Sequence, residues 1–485
     1  MTTKSIRFIL PLLFFCVPLY SQFEKGLNYK IETGINFGTG EHTPFWLTAN
    51  KQGLSSVQKN NAYLRAGIYR PMEKDKRFSY AYGLDMVGAY RFPASFIQQA
   101  YVDFKYRFLE LSLGSKERYG ELKNNQLSSG GLTFSTNSRP IPQARISIED
   151  YVIIPGTKKL FALKGHLAYG MFTDDKWQLD FIKSGNKHTK NALYHSKALF
   201  GRIGNEEVFP LVFEGGLEMA AQFGGKSIVN DVVINMPNSI KDFFKVFIPQ
   251  GGDSDTPMGE QVNVYGNHVG SWNFSLSYRF NNWKVRGYYE HFFEDHSMMF
   301  GEYGWKDCLT GVEFTLPKNP IVSSFVYEYL GTKDQAGPIY HDTTESIPDQ
   351  ISATDSYYNH SIYTGWQHWG QAIGNPLFIS PIYNSNGEIT FISNRIVAHH
   401  IGFSGNPTAD INYRVMLSHS RHWGTYATPF FEIKKTTSAL LEVGYAPHQL
   451  KGWQFTAAIA LDRGDMIGDN TGGMITVCKT GLFTK

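Results

Sequence analysis

Apolar and polar residues alternate along most of this chain. Leu27, Tyr29, Ile31, Thr33, Ile35 and Phe37 interleave with Asn28, Lys30, Glu32, Gly34 and Asn36. Phe78, Tyr80, Tyr82, Leu84, Met86 and Tyr90 interleave with Ser79, Ala81, Gly83, Asp85 and Ala89. The same pattern places Trp272, Phe274, Leu276, Tyr278 and Phe280 on one face, and Trp453, Phe455, Ala457, Ile459 and Leu461 on another. Successive side chains of a strand point to opposite sides, so each run has one apolar and one polar face. Soluble strands average about 5–6 residues. These runs reach the roughly 9–11 residues that a tilted membrane-crossing strand needs. Their ends are aromatic, as in the girdles of membrane barrels.

Nineteen such runs are candidates for strands, near 27–37, 61–70, 77–91, 97–107, 109–117, 143–150, 163–172, 176–183, 195–203, 209–222, 270–280, 283–293, 307–316, 321–330, 395–404, 411–421, 438–446, 453–463 and 473–484. Bacterial single-chain barrels use even numbers, which predicts about 18 strands in an all-β, antiparallel transmembrane barrel. Asn281-Asn282 and the polar stretch from Pro71 to Lys76 predict short turns, the first with positive φ. Three segments break the pattern: 38–60, 223–268 and 331–394. Connections of that length are usually functional or disordered. They predict a lumen plugged by loops and one short helix, Asn238 to Ile248.

The N-terminus adds an export signal. Lys4 and Arg7 precede the apolar run Phe8 to Leu19, and small Ser21 follows. This is a secretory leader over 1–21, with the barrel over 22–485. The run is too short to cross a membrane as a helix. Cys16 follows bulky Phe15 where a lipoprotein signal needs a small residue. Export and strand pattern together predict the outer membrane, with its lipid as a partner. Cys308 and Cys478 lie in strand-like contexts far apart and are read as unpaired, without zinc-type spacing.

Charge changes the picture little. Lys+Arg is 46 and Asp+Glu 43, which gives no basic field for nucleic acid. Aromatics are 15% of the chain, as girdles would require.

Catalytic patterns are absent. Tyr383-Asn384-Ser385-Asn386-Gly387 carries the Ser-Asn-Gly of outer-membrane phospholipases, but Tyr383 stands where their His would be. It is read as a loop turn, and the chain as a non-enzyme without cofactor. His399 and His400 fall on opposite strand faces, as do His419 and His422, so neither pair can share a metal ion. The stretch from Glu290 to His296 is a weaker candidate for a cation. What remains is binding or transport. Arg139, Gln143, Arg145, Tyr358, Tyr363, Trp366, His368, Trp369, Arg421 and Trp423 mix planar donors with aromatic rings. That mixture suits sugar hydroxyls and C–H faces, and equally suits a plug core or a porin-like solute channel.

Asn137-Ser138-Arg139-Pro140-Ile141-Pro142 resembles the Asn-x-Arg-Pro-Ile-Pro stretch of the Wzi capsule-assembly family, with Ser138 in place of Ala. His360-Ser361-Ile362-Tyr363-Thr364-Gly365-Trp366, followed by Ile373-Gly374, is similar to a second element of that family, and Gly40 to Leu47 to a third. The resemblance implies an 18-stranded outer-membrane barrel with a plugged lumen and a helical element on the periplasmic side. It also implies a lectin-like role in which exported capsular polysaccharide is held at the cell surface, with the capsule export machinery as a further partner. Asn137, Arg139, Tyr363, Trp366 and Trp369 are the residues that would contact the polymer.

Overall fold

The alternation builds a closed wall in the computed structural model, which describes residues 23–92, 94–257, 260–261, 264–294, 299–300, 305–335 and 355–483. The leader over 1–21 lies outside the described residues, as do Asp295 and His296 of the cation candidate and residues 484–485 of the last run. Eighteen antiparallel strands form one sheet. Each pairs with its neighbours in sequence, from Asn28–Thr39 to Asn470–Leu482. The first strand then pairs with the last, with Asn28 opposite Leu482 and Thr39 opposite Thr471. Closure leaves no unpaired edge, which is what a sheet in hydrocarbon requires.

The two faces follow the sequence pattern. Ile31, Ile35, Phe37, Phe78, Leu84, Met86, Ile459 and Leu461 are exposed on the outside. Asp85, Ser271, Asn273, Glu290, Glu328, His400 and Asp462 are buried on the inside. Phe78, Tyr106, Phe108, Phe209, Phe280, Tyr445, Trp453 and Phe483 form an exposed aromatic girdle at the end that holds the chain termini. Short turns join strands at this end. All the long segments join strands at the other, the arrangement of periplasmic turns and extracellular loops.

Eighteen of the nineteen predicted strands are present. The exception is 176–183, where Asp175–Phe181 is a helix. Trp177 and Phe181 stack with centroids 4.8 Å apart, one helical turn from each other. The turn at Asn281-Asn282 exists, but neither residue has a positive φ; the Phe280 N–H closes it on the Trp283 carbonyl at 2.8 Å. The helix expected over Asn238 to Ile248 is Ile240–Phe247. It belongs to the connection between strands Leu211–Phe223 and Asn267–Arg279, so it lies at the long-loop end and not on the periplasmic side. Cys308 and Cys478 are buried and unpaired.

The hydrophobic core lies inside the barrel. Trp46, Tyr357, Tyr358, Tyr363, Trp366, Phe378 and Phe391, all from the long connections, are fully buried together with Phe292 of the wall.

Candidate functional site

Three connections fill the lumen: 40–61, 116–142 and 355–394. Carboxylates on the inner wall hold them. The Phe45 N–H donates to Asp462 Oδ2 at 3.0 Å. Lys51 pairs with Glu442 at 3.2 Å. Ser128 Oγ–H and the Ser129 N–H donate to the two oxygens of Glu328 at 2.6 and 2.7 Å. The Leu132 N–H donates to Glu290 Oε1 at 2.8 Å, while Lys123 pairs with Glu290 Oε2 at 3.0 Å. The Tyr358 N–H reaches Glu294 Oε1 at 2.5 Å. Each of these acids occupies an inward position of a different strand or a different level of one strand. Hydrogen bonds to charged groups are worth about 1.5–3 kcal/mol each, and a buried acid without them is costly. The Glu290 to His296 stretch, weighed above for a cation, uses its first acid to anchor the chain's own Lys123. Among the described residues no cluster of three or more potential ligands could hold a metal ion.

The segments also hold one another. The Ser135 N–H donates to the Ile373 carbonyl at 2.8 Å, and Ser135 Oγ–H to the Gly374 carbonyl at 2.6 Å. Asn137 Nδ2 donates to the Ala372 carbonyl at 2.9 Å, and its Oδ1 accepts the Asn50 N–H at 3.2 Å. Trp366 Nε1 donates to the Thr133 carbonyl at 2.8 Å. Gly53, at φ +67°, lies so close to Arg139 that a Cβ would sit 2.8 Å from its backbone nitrogen. The motif elements therefore meet in space: 130–142 lies between 50–53 and 366–376.

Arg139 is the most unusual member. Its guanidinium lies between the rings of Phe96 and Trp369, 3.6 and 4.2 Å from their centroids. Its Nη1 is buried without a hydrogen-bond partner in the described residues. Burial holds the group below its ordinary value, at about 9. Stacking on two rings is a recognised way to hold a desolvated guanidinium. Gln52, Lys116, Arg118, Phe134, Ser138, Gln143 and Tyr194 share the adjoining cavity of about 10 Å³. That is room for a water molecule and not for a sugar ring.

Of the five residues predicted to touch polymer, Asn137, Arg139, Tyr363 and Trp366 are buried in the plug. The Tyr363 hydroxyl donates to the Gly224 carbonyl at 3.2 Å, so its polar end is also used internally. Trp369 is half-buried and alone keeps part of its ring open. Ser385 and Asn386 form a turn, as expected. Sequence reasoning did not single out the wall acids Glu328, Glu442 and Asp462, nor Phe96. An isolated Asp or Glu on the small, polar face of a strand was the available signal.

A second cluster sits at the long-loop rim. Arg395 covers the Tyr426 ring at 4.1 Å, and Lys333 and Arg421 approach the Trp423 ring at 5.0 and 5.1 Å. Trp423 and Tyr426 are half-buried, and Arg421 is exposed. Half-buried rings with cations beside them could accept the C–H face and an acidic substituent of a sugar.

A closed sheet with an apolar outer band, aromatic girdle, short turns at one end and long loops at the other defines an outer-membrane β-barrel, here with a filled lumen. No protein-family profile and no curated protein matches the chain. Among solved structures, it is similar to Wzi of Escherichia coli, described as an outer-membrane protein involved in group 1 capsule assembly and a carbohydrate-binding β-barrel. That likeness has 11% identity and a TM-score of 0.55, over 95% of this chain and 85% of that one. OccK2 of Pseudomonas aeruginosa, in complex with glucuronate, matches at 7% identity and TM-score 0.47, over 95% of this chain and 98% of that one. OprD of the same organism matches at 10% identity and TM-score 0.45, over 95% and 96%. The Wzi likeness shows the shared fold, and the other two are too loose to carry an argument.

Proposed function

We propose that this chain is a non-enzymatic barrel that binds exported capsular polysaccharide and helps assemble or anchor the capsule at the cell surface. The filled lumen carries this reading. Segments bonded to the wall through Glu290, Glu328, Glu442 and Asp462 suit a rigid holding surface better than a conduit. The carbohydrate binding described for Wzi agrees with it. Contact with the polymer falls to Trp369 and to the rim cluster of Arg395, Arg421, Trp423 and Tyr426, while Asn137, Arg139, Tyr363 and Trp366 hold the plug that supports them. The test is capsule retention in a strain lacking this protein. Polymer made in normal amounts but shed into the medium supports the reading. Unchanged retention overturns it, and a porin-like solute channel becomes the better reading.

A further inference from the structure

The helix Ile240–Phe247 packs on the outside of the barrel. Strands Phe161–Met171, Leu193–Ile203, Leu211–Phe223 and Asn267–Arg279 direct Tyr169, His195, Met219, Ala221, Phe223 and His268 outward. Lipid-side Leu199 and Leu217 lie on the same face of the same strands, while Tyr194 and Phe200 point into the lumen. Yet His195, Met219, Ala221, Phe223 and His268 are buried. The helix covers Tyr169, Phe223 and His195. Its Phe243 ring meets Tyr169 and Phe223 at 5.1 and 5.0 Å, and its Phe243 carbonyl accepts the Tyr169 hydroxyl at 2.9 Å. Phe247 packs edge-on against His195, and Lys197 donates to the Phe247 carbonyl. Ser239 and Asp242 close a capping box at the helix start.

The opposite face of this helix is apolar and bare. Ile240, Phe244 and Ile248, spaced at i, i+4 and i+8, are 80%, 66% and 57% exposed. The wall beneath shows what lies against it. Every strand rises from a short turn at the same end, so exposure along a strand measures the height of the lipid-facing band. In Phe78–Tyr90 the exposed apolar residues run from Phe78 to Tyr90. In Leu193–Ile203 they stop at Leu199 and in Leu211–Phe223 at Phe213; on Asn267–Arg279, Phe274 and Trp272 lie instead against Trp305 and Met299. A hydrocarbon band about 25 Å tall spans about 9–11 tilted residues. On Leu193–Ile203 and Leu211–Phe223 the bare wall spans about half of that or less. The helix lies over the upper part of these strands, against His195 and Phe223.

We infer that Ile240–Phe247 is embedded in the outer leaflet and that Ile240, Phe244 and Ile248 contact its acyl chains, completing the lipid-facing band where the wall is covered. The inference rests on the barrel alone and not on the polysaccharide reading. An amphipathic helix with one apolar face toward acyl chains is a known interfacial arrangement. Here its other face is fixed to protein.

Site-directed spin labelling of the full chain in phosphatidylcholine vesicles tests this. Single cysteines replace Ile240, Phe244 or Ile248 in a Cys308→Ala, Cys478→Ala background. Leu199→Cys serves as the lipid reference and Ser385→Cys as the aqueous one. Accessibility to oxygen over a water-soluble nickel chelate is expected to match position 199 at all three sites. Values matching position 385 overturn the inference. The unmodified protein gives a second reading with a photoactivatable acyl-chain probe. Crosslinks in the peptide holding 240–248, together with those at Leu199, support it; crosslinks at Leu199 alone overturn it.

Discussion

His368 is held in a single protonation state by its neighbours. Its Nδ1–H donates to the Arg139 carbonyl at 3.0 Å, and its Nε2 accepts the Thr173 N–H at 3.3 Å. A proton on Nε2 would remove that acceptor and set a second cation near Arg139. Burial lowers its affinity for a proton below that of an ordinary histidine, and the opposing pull of Asp174 and of the Arg139 carbonyl does not offset it. The unfolded chain therefore takes up the proton first as pH falls below about 6.5. The contribution of His368 to plug stability is complete above that value and is lost progressively below it. Losing one buried hydrogen bond costs about 1–3 kcal/mol. The protection of the Thr173 and Trp369 amides against hydrogen exchange, relative to the intrinsic rate at each pH, is thus expected to fall between pH 7 and pH 5. In His368→Asn, whose amide can still donate to Arg139 but cannot titrate, that pH dependence should flatten. Equal pH dependence in both proteins would show that another group governs it. At this scale the sequence was ambiguous. Tyr363 and Trp366 are aromatic residues among polar ones, which describes a sugar platform and a lumen core equally well, and only burial separates the two.

Individual elements were more legible. A strand exposed to lipid on one face and to a polar lumen on the other writes its period into every second residue, which is why Trp453, Phe455, Ile459 and Leu461 identified their strand without ambiguity. The seven residues of Asp175–Phe181 did not: Trp177, Leu179 and Phe181 alternate with Lys176, Gln178 and Asp180, yet the segment is helical. So short a run fits both periods. The plug segments have no period, so their docking was not readable either. It depends on wall acids such as Glu290. Glu290→Ala would strand buried Lys123 and leave the Leu132 N–H unpaired. Removing one partner of a buried pair costs about 3–5 kcal/mol. Amide exchange across 123–133 should accelerate accordingly while exchange in the wall strands stays slow. Adding Lys123→Met to Glu290→Ala should restore much of the loss, because the uncompensated charge is then gone. No recovery in the double variant would mean that the Leu132 hydrogen bond, not the ion pair, carries the docking.

For the whole molecule, the question is whether an 18-stranded barrel conducts. Barrels of 16–18 strands enclose an aqueous channel unless something fills it. Here the third plug segment supplies Tyr357, Tyr358, Tyr363, Trp366, Phe378 and Phe391, all fully buried. Its two ends meet at the wall, where the Thr332 N–H donates to the Ile396 carbonyl at 2.9 Å. Replacing residues 333–395 with a short hairpin turn would therefore leave the pairing of Ser324–Gly331 with Ile396–Gly405 intact. In planar bilayers the intact protein is expected to stay closed, and the shortened one to open steady channels whose conductance scales with salt. The apolar faces of 43–57 and 116–142 lose their cover in that variant, so Asn375→Ala is the milder companion. Its side chain donates to Ser129 Oγ and the Gly130 carbonyl at 3.1 and 2.6 Å, and its loss should give brief openings rather than a permanent pore. Steady conductance by the intact protein would mean that the segments leave the lumen in a membrane. A transport role would then explain the barrel better than a holding one, because a plug that vacates its wall acids exposes Glu290, Glu328, Glu442 and Asp462 to water as the polar lining a solute channel needs.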